Sequence, residues 1–124
     1  MPDLNNDLFR IDNIIHEAGI ISATLTINKD SEILKGHFSG HPVVPGACML
    51  NVVKESMESA LQISIRLKKA TNLKFMSMID PANTPTVQLD INYKFTEDGT
   101  ISATAKLSNA ENIYFKFQGS FIVR

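Results

Sequence analysis

Only one segment of this chain spaces its apolar residues like a helix, and nearly everything after it alternates apolar and polar residues one by one. From Pro45 to about Gln62, residues Met49, Leu50, Val53, Met57, Ala60 and Leu61 fall on one side of a helical wheel. Asn51, Lys54, Glu55, Glu58 and Gln62 take the other, so the segment reads as one amphipathic helix of roughly four turns. Pro45 suits its first position, where a backbone N–H would have no intrahelical acceptor in any case.

The alternating segments read as strands. Val87, Leu89, Ile91, Tyr93 and Phe95 alternate with Gln88, Asp90, Asn92 and Lys94. After a turn at Glu97-Asp98-Gly99, the pattern resumes at Ile101, Ala103, Ala105 and Leu107. Asn109 to Asn112 turns the chain again before Ile113, Phe115, Phe117, Phe121 and Val123. Between helix and first turn cluster, Asp80 to Asn83, the residues Ile63 to Phe75 suggest a long strand with an irregularity near Ala70. Upstream of the helix, Ile21, Ala23, Leu25 and Ile27 alternate cleanly. Gly19 joins them in a hairpin to a strand through Ile11, Ile14 and Ile15 whose register the spacing leaves open. Lys29 to Lys35 is a loop or a short helical turn, and the polar residues 1–8 are expected to be loose.

Adjacent strands joined by short turns imply an antiparallel meander, and the elements together predict a single α+β domain over 1–124, an antiparallel sheet of five or six strands covered on one face by one helix. A chain of 124 residues supports one core rather than two. Long alternating strands leave a sheet edge that must be managed, which leads us to expect a homodimer or higher homo-oligomer.

Charge narrows the function classes. Twelve basic and 13 acidic side chains, a net charge of −1 and no long run of either sign give no reason to expect nucleic acid or a membrane surface as partner. Cys48 is the single cysteine, so no intrachain disulfide forms, and no Cys or His pair has zinc-site spacing. No basic leader with an apolar core and no apolar run near eighteen residues is present, so a cytoplasmic location is expected.

The chemistry concentrates just before the helix, in Gly36-His37-Phe38-Ser39-Gly40-His41-Pro42-Val43-Val44-Pro45-Gly46. Two of the three histidines lie there. At the helix start, the N–H groups of Gly46 and Ala47 and the positive end of the dipole form a place where a carbonyl oxygen gains negative charge. A neighbouring histidine is placed to move a proton. The bland reading of His37 is a loop histidine satisfied by backbone; that of His41 is a solvated one, and there the bland reading is preferred. Gly46 either admits a ligand to the backbone or simply permits close packing. Cys48 reads as packing rather than as a nucleophile, and Glu55 and Glu58 as solvated or paired with Lys54 and Arg66. Met49, Met76 and Met78 are core residues or a flexible acyl-binding wall.

Gly36, His37, Phe38, Pro42, Pro45 and Gly46, in that order and spacing, resemble the hotdog-fold 3-hydroxyacyl-acyl carrier protein dehydratases of fatty-acid synthesis. Leu73-Lys74-Phe75 followed by Asp80-Pro81 is similar to a further segment of that family. The resemblance implies one long central helix wrapped by the sheet, and an active site at a dimer interface with the acyl chain in a tunnel between protomers. It implies His37 as the base that takes the proton next to the thioester carbonyl, and the Gly46 N–H as donor to that carbonyl oxygen. Phe38, Pro45, Ala47 and Glu55 are then substrate-binding. The acyl group would arrive on acyl carrier protein or coenzyme A, with no metal or redox cofactor.

One position departs from the family. Its acid is a Glu or Asp from the partner's helix, at the place held here by Asn51. An amide donates and accepts hydrogen bonds but does not deliver a proton. A positioned acid is typically worth about 10² to 10⁴ in rate. Glu55, one turn further along, or His41 takes its place, or Asn51 orients a water for thioester hydrolysis. Three functions are therefore carried forward: a dehydratase-like enzyme, an acyl thioesterase, and a non-catalytic acyl-binding or heterodimer-forming subunit.

Overall fold

A computed structural model describes residues 8–35, 44–110 and 112–124. In chain order the elements are β1 (Phe9–Glu17), β2 (Ile20–Ile27), α1 (Glu32–Lys35), α2 (Gly46–Leu61), β3 (Ile65–Phe75), β4 (Thr86–Phe95), β5 (Thr100–Ser108) and β6 (Ile113–Val123). The six strands form one antiparallel sheet, and α2 packs across one face of it.

The strand order is β1-β2-β4-β5-β6-β3: the strands joined by short turns, β4, β5 and β6, form the expected meander, and β3 lies beyond β6 at the edge. β1 and β2 form one hairpin, and β4, β5 and β6 follow one another as two more. α2 carries the chain across the sheet, so β3 starts beside the end of β6, where Arg124 N–H donates to Ser64 C=O at 3.0 Å. β4 then returns to pair with β2. Alternation assigns the faces of a strand; it carries no information about which strand lies next to it.

Local irregularities have local causes. β1 and β2 are joined by Ala18 and Gly19, both at positive φ (49° and 82°), the two-residue geometry that matches strand twist. A bulge between Ile11 and Asn13 inserts Asp12, which explains why Ile11 and Ile14 share a face although three residues apart. β3 is bulged at two places, between Leu67 and Lys69 and between Ala70 and Asn72, bracketing the irregularity expected near Ala70.

The core lies between the sheet and α2. Cys48, Met49, Val52, Val53, Ser56 and Met57 are buried against Ile21, Leu25, Leu89, Ile91, Leu107 and Phe115. Each apolar side chain so buried contributes about 1.5–3 kcal/mol. The buried stripe is rotated from the one the spacing predicted: Leu50, Ala60 and Leu61 are only partly buried, while Cys48, Val52 and Ser56 are inside. The boundary also shifts by one residue. Pro45 is the extended N-cap (φ −64°, ψ 143°), and Gly46 is the first helical residue. Leu8, counted among the loose residues, is instead fully buried, and its carbonyl accepts the Asn28 N–H at 2.8 Å. An apolar residue next to a strand is drawn into the core whatever the polarity of the residues before it.

Candidate active site

The start of α2 is electrostatically open. Pro45 has no side chain able to cap the helix, and no acidic residue lies in the first turn. The Pro45 carbonyl accepts the N–H groups of Cys48 (3.1 Å) and Met49 (3.4 Å), while those of Gly46 and Ala47 have no acceptor among the described residues. Among the described residues, two donors and the positive end of the dipole therefore stand without a compensating partner.

Gly46 borders an apolar cleft of about 620 Å³, with Pro45, Met49, Phe75, Met76 and Met78. The three methionines read as core or acyl wall meet here. Met49 is buried, whereas Met78 is 75 % exposed and Phe75 52 %. Phe75 stacks on Phe115 with ring centroids 5.1 Å apart and lies against Gly46. Its ring occupies the space that a side chain at position 46 would need, since a Cβ there would stand only 2.7 Å from it. Gly46 thus permits close packing, the second of its two readings.

Asn51 lies elsewhere on the helix. It is about 140° around from Gly46 and roughly 7.5 Å further along the axis. With Ala47, Leu50, Lys54, Leu67 and Phe121 it lines a separate cleft of about 210 Å³. Its Nδ2 donates to Glu55 Oε1 at 2.9 Å, joining the two residues that sequence reasoning singled out on this face. Glu55 in turn borders a larger cleft of about 820 Å³ with Phe9, Ile11, Ile27 and Pro85. Of the ion pairs expected for Glu55 and Glu58 with Lys54 and Arg66, Lys54 Nζ–Glu58 forms (3.5 Å), and Glu58 Oε2 accepts the Ile65 N–H at 2.9 Å. The chain therefore brings together Pro45, Gly46 and the methionines at one cleft, while Ala47, Asn51 and Glu55 line other clefts.

His37, Phe38 and His41 lie outside the described residues. Cys48 is 2 % exposed, and burial pushes its thiol pKa up, the opposite of what a nucleophile needs. Leu67, Phe75 and Phe121 line these clefts and were not singled out as site residues. Their alternation showed which face they occupy, but that β3 lies at the free edge beside α2 depends on the strand order.

A sheet wrapped around one long helix, with open N–H donors at an apolar cleft, is the hotdog fold. Solved structures agree. The dehydratase heterocomplex ApeI:P from Xenorhabdus doucetiae superposes with a TM-score of 0.73 at 16% identity, covering 91% of this chain and 96% of that one. The PaaI protein from the phenylacetic acid degradation operon of E. coli gives 0.65 at 12% identity, over 90% and 78%. A thioesterase of Staphylococcus aureus subsp. aureus Mu50 gives 0.64 at 14% identity, over 94% and 93%. No curated protein sequence matches the chain. The chain belongs to the ApeI-like family, described as ApeI dehydratase, whose model matches residues 13–118.

Proposed function

We propose that this protein dehydrates 3-hydroxyacyl thioesters, with Glu55 acting beside Asn51 where relatives of this fold use a single acid. The observation that carries this reading is the Asn51–Glu55 hydrogen bond on the helix whose first N–H groups stand open at an apolar cleft. The thioester carbonyl oxygen accepts from Gly46 N–H, and negative charge that develops there as the neighbouring proton leaves is stabilised by donor and dipole. His37 takes that proton. The C–O bond at the third carbon breaks, the hydroxyl departs as water with a proton from the Glu55 carboxyl, and a 2-enoyl thioester remains. Asn51 holds Glu55 in place. No metal or redox cofactor enters the balance, and acyl carrier protein or coenzyme A carries the acyl group.

Because Asn51 and Glu55 line clefts other than that of Gly46 in their own protomer, a second copy supplies them. Leu67, Leu73, Phe75, Met76 and Met78 are all large, apolar and exposed, on β3 or just after it. β3 is an edge strand, and edge pairing with a second copy covers both its apolar side chains and its unpaired backbone.

Incubation with 3-hydroxyacyl, 2-enoyl and saturated acyl thioesters, carried on coenzyme A and on carrier protein, tests the reading. Enoyl thioester should form from the hydroxyacyl substrate, and Glu55→Gln and His37→Ala should each lower the rate by roughly 10² to 10⁴. Release of free thiol without enoyl product would assign hydrolysis instead. No turnover of any substrate would leave a non-catalytic subunit.

A further inference from the structure

The outer face of the sheet, opposite α2, carries a concentration of positive charge that the sequence hides. β3, β5 and β6 are neighbours and contain no Asp or Glu at all. They hold Arg66, Lys68, Lys69, Lys74, Lys106 and Lys116, six of the chain's 12 basic residues. Lys116 pairs in register with Lys74 on one side and with Lys106 on the other, so three lysines form a row across three strands. All three are exposed, and none takes part in an ion pair among the described residues.

Like charges directly opposite one another destabilise a sheet, and here two such pairs are adjacent. The solvent face alone does not require this. The next row along the strands is neutral, with Gln118 opposite Asn72 and Thr104, and the row beyond it sets Lys69 and Lys94 at the two ends of the Ser120–Ser102 pair, so the lysines adjoin one another only in the row of Lys116. The row ends at Asp90, which is opposite Lys106 and accepts a hydrogen bond from Ser22 Oγ at 3.0 Å. A second copy stacked with the two rows in register would bring lysines against lysines, so the row itself calls for a partner of opposite charge.

We propose that this row is a docking site for an acidic helix of another protein, laid across the strands. Strands lie about 4.8 Å apart, so the outer two lysines of the row are roughly 10 Å apart at their backbones. A helix rises about 1.5 Å per residue, so carboxylates at i and i+7 are separated by about 10.5 Å, with one at i+4 between them on the same face. Three carboxylates so spaced meet three lysines. A shallow groove of about 350 Å³ runs beside the row and offers the amides of Asn72, Asn92 and Gln118 as hydrogen-bonding groups at its margin. The site is independent of the thioester chemistry, since it lies on the opposite face of the sheet from α2.

The test uses the full chain and two fluorescently labelled, alanine-based helical peptides of identical composition. One carries Glu at i, i+4 and i+7, and the other distributes the three residues around the helix. Binding is read by anisotropy at low salt. The aligned peptide should bind about three- to tenfold more tightly than its isomer, the sum expected of three exposed charge pairs. Lys116→Gln and the Lys74→Gln/Lys106→Gln pair should each abolish that preference, with thermal unfolding showing variants at least as stable as the parent. Equal affinity for both peptides, or a preference untouched by these substitutions, overturns the proposal. So does tighter lysine-dependent binding to phosphatidylglycerol vesicles or to duplex DNA, which would assign the row to an anionic membrane or to nucleic acid.

Discussion

A Cβ added at Gly46 would stand 2.7 Å from both Cε1 and Cζ of Phe75, so the bare backbone at the helix start and the aromatic ring are fitted to each other. Gly46→Ala should therefore push the half-exposed ring outward rather than unfold the chain. We expect a stability loss of about 1–2 kcal/mol by denaturant titration, as for other overpacked contacts. If the thioester carbonyl binds the Gly46 N–H as proposed, the added methyl should crowd it and turnover should fall at least about tenfold. Gly46→Ala with Phe75→Leu should recover stability and not turnover. Recovery of both would show that the backbone donor is not used.

Asn51→Glu should place two carboxylates one turn apart on α2, next to each other as Asn51 and Glu55 are now. Neighbouring carboxylates do not both ionise freely, so one of them keeps its proton to a higher pH. Dehydration should rise at least about tenfold, and stability at neutral pH should fall by about 0.2–0.5 kcal/mol. A pH–rate profile identical to that of the parent would mean that position 51 does not face the reacting hydroxyl.

Ser56 is fully buried on α2, and its Oγ is without a hydrogen-bond partner among the described residues. A buried hydroxyl that loses water and gains no partner costs free energy, so Ser56→Ala should stabilise the protein by about 1 kcal/mol in urea unfolding. A loss of stability would show that the hydroxyl finds a partner in solution.

The β4–β5 turn is held by Asp98. Hydrogen bonds from the Thr96 and Thr100 hydroxyls and from the Thr100 N–H lower its pKa from 3.8 to about 2. The carboxylate form is thus favoured more in the folded than in the unfolded state. Its contribution is complete above the unfolded pKa and is lost as pH falls from about 4 toward 2. Asp98→Asn should be less stable than the parent near neutrality, with the gap closing over that window. A gap that is constant with pH would assign the difference to the amide rather than to the charge.

Leu67 and Leu73 are exposed on the helix-facing side of edge strand β3. Replacing both with Glu should convert a dimer to a monomer in sedimentation equilibrium, and dehydration should disappear with it if the second copy supplies Asn51 and Glu55. A parent protein that is monomeric and active would overturn the shared site.

The faces of the elements are legible in the sequence because alternation is a local property. Val87 to Phe95 and Ile101 to Leu107 declare their inward residues by period two, and Pro45-Gly46 marks the helix start to within one residue. Where the pattern is interrupted the reading is less sharp. The bulge at Asp12 obscures the register of β1, and the residues of α2 that touch the sheet depend on how the helix is rolled onto it, which puts Ser56 inside and Leu50 at the margin.

The sequence alone determined the kind of domain, its helix and strands, and the family-like segment around His37, because propensity, turn chemistry and side-chain periodicity act over a few residues. Only the tertiary structure decided that β3 crosses to the far edge, that Asn51 meets Glu55 in a different cleft from Gly46, and that Lys74, Lys106 and Lys116 stand in one row. Those relationships depend on pairing between residues far apart in the chain. Strand order and register are set by burial of the whole core rather than by any one segment.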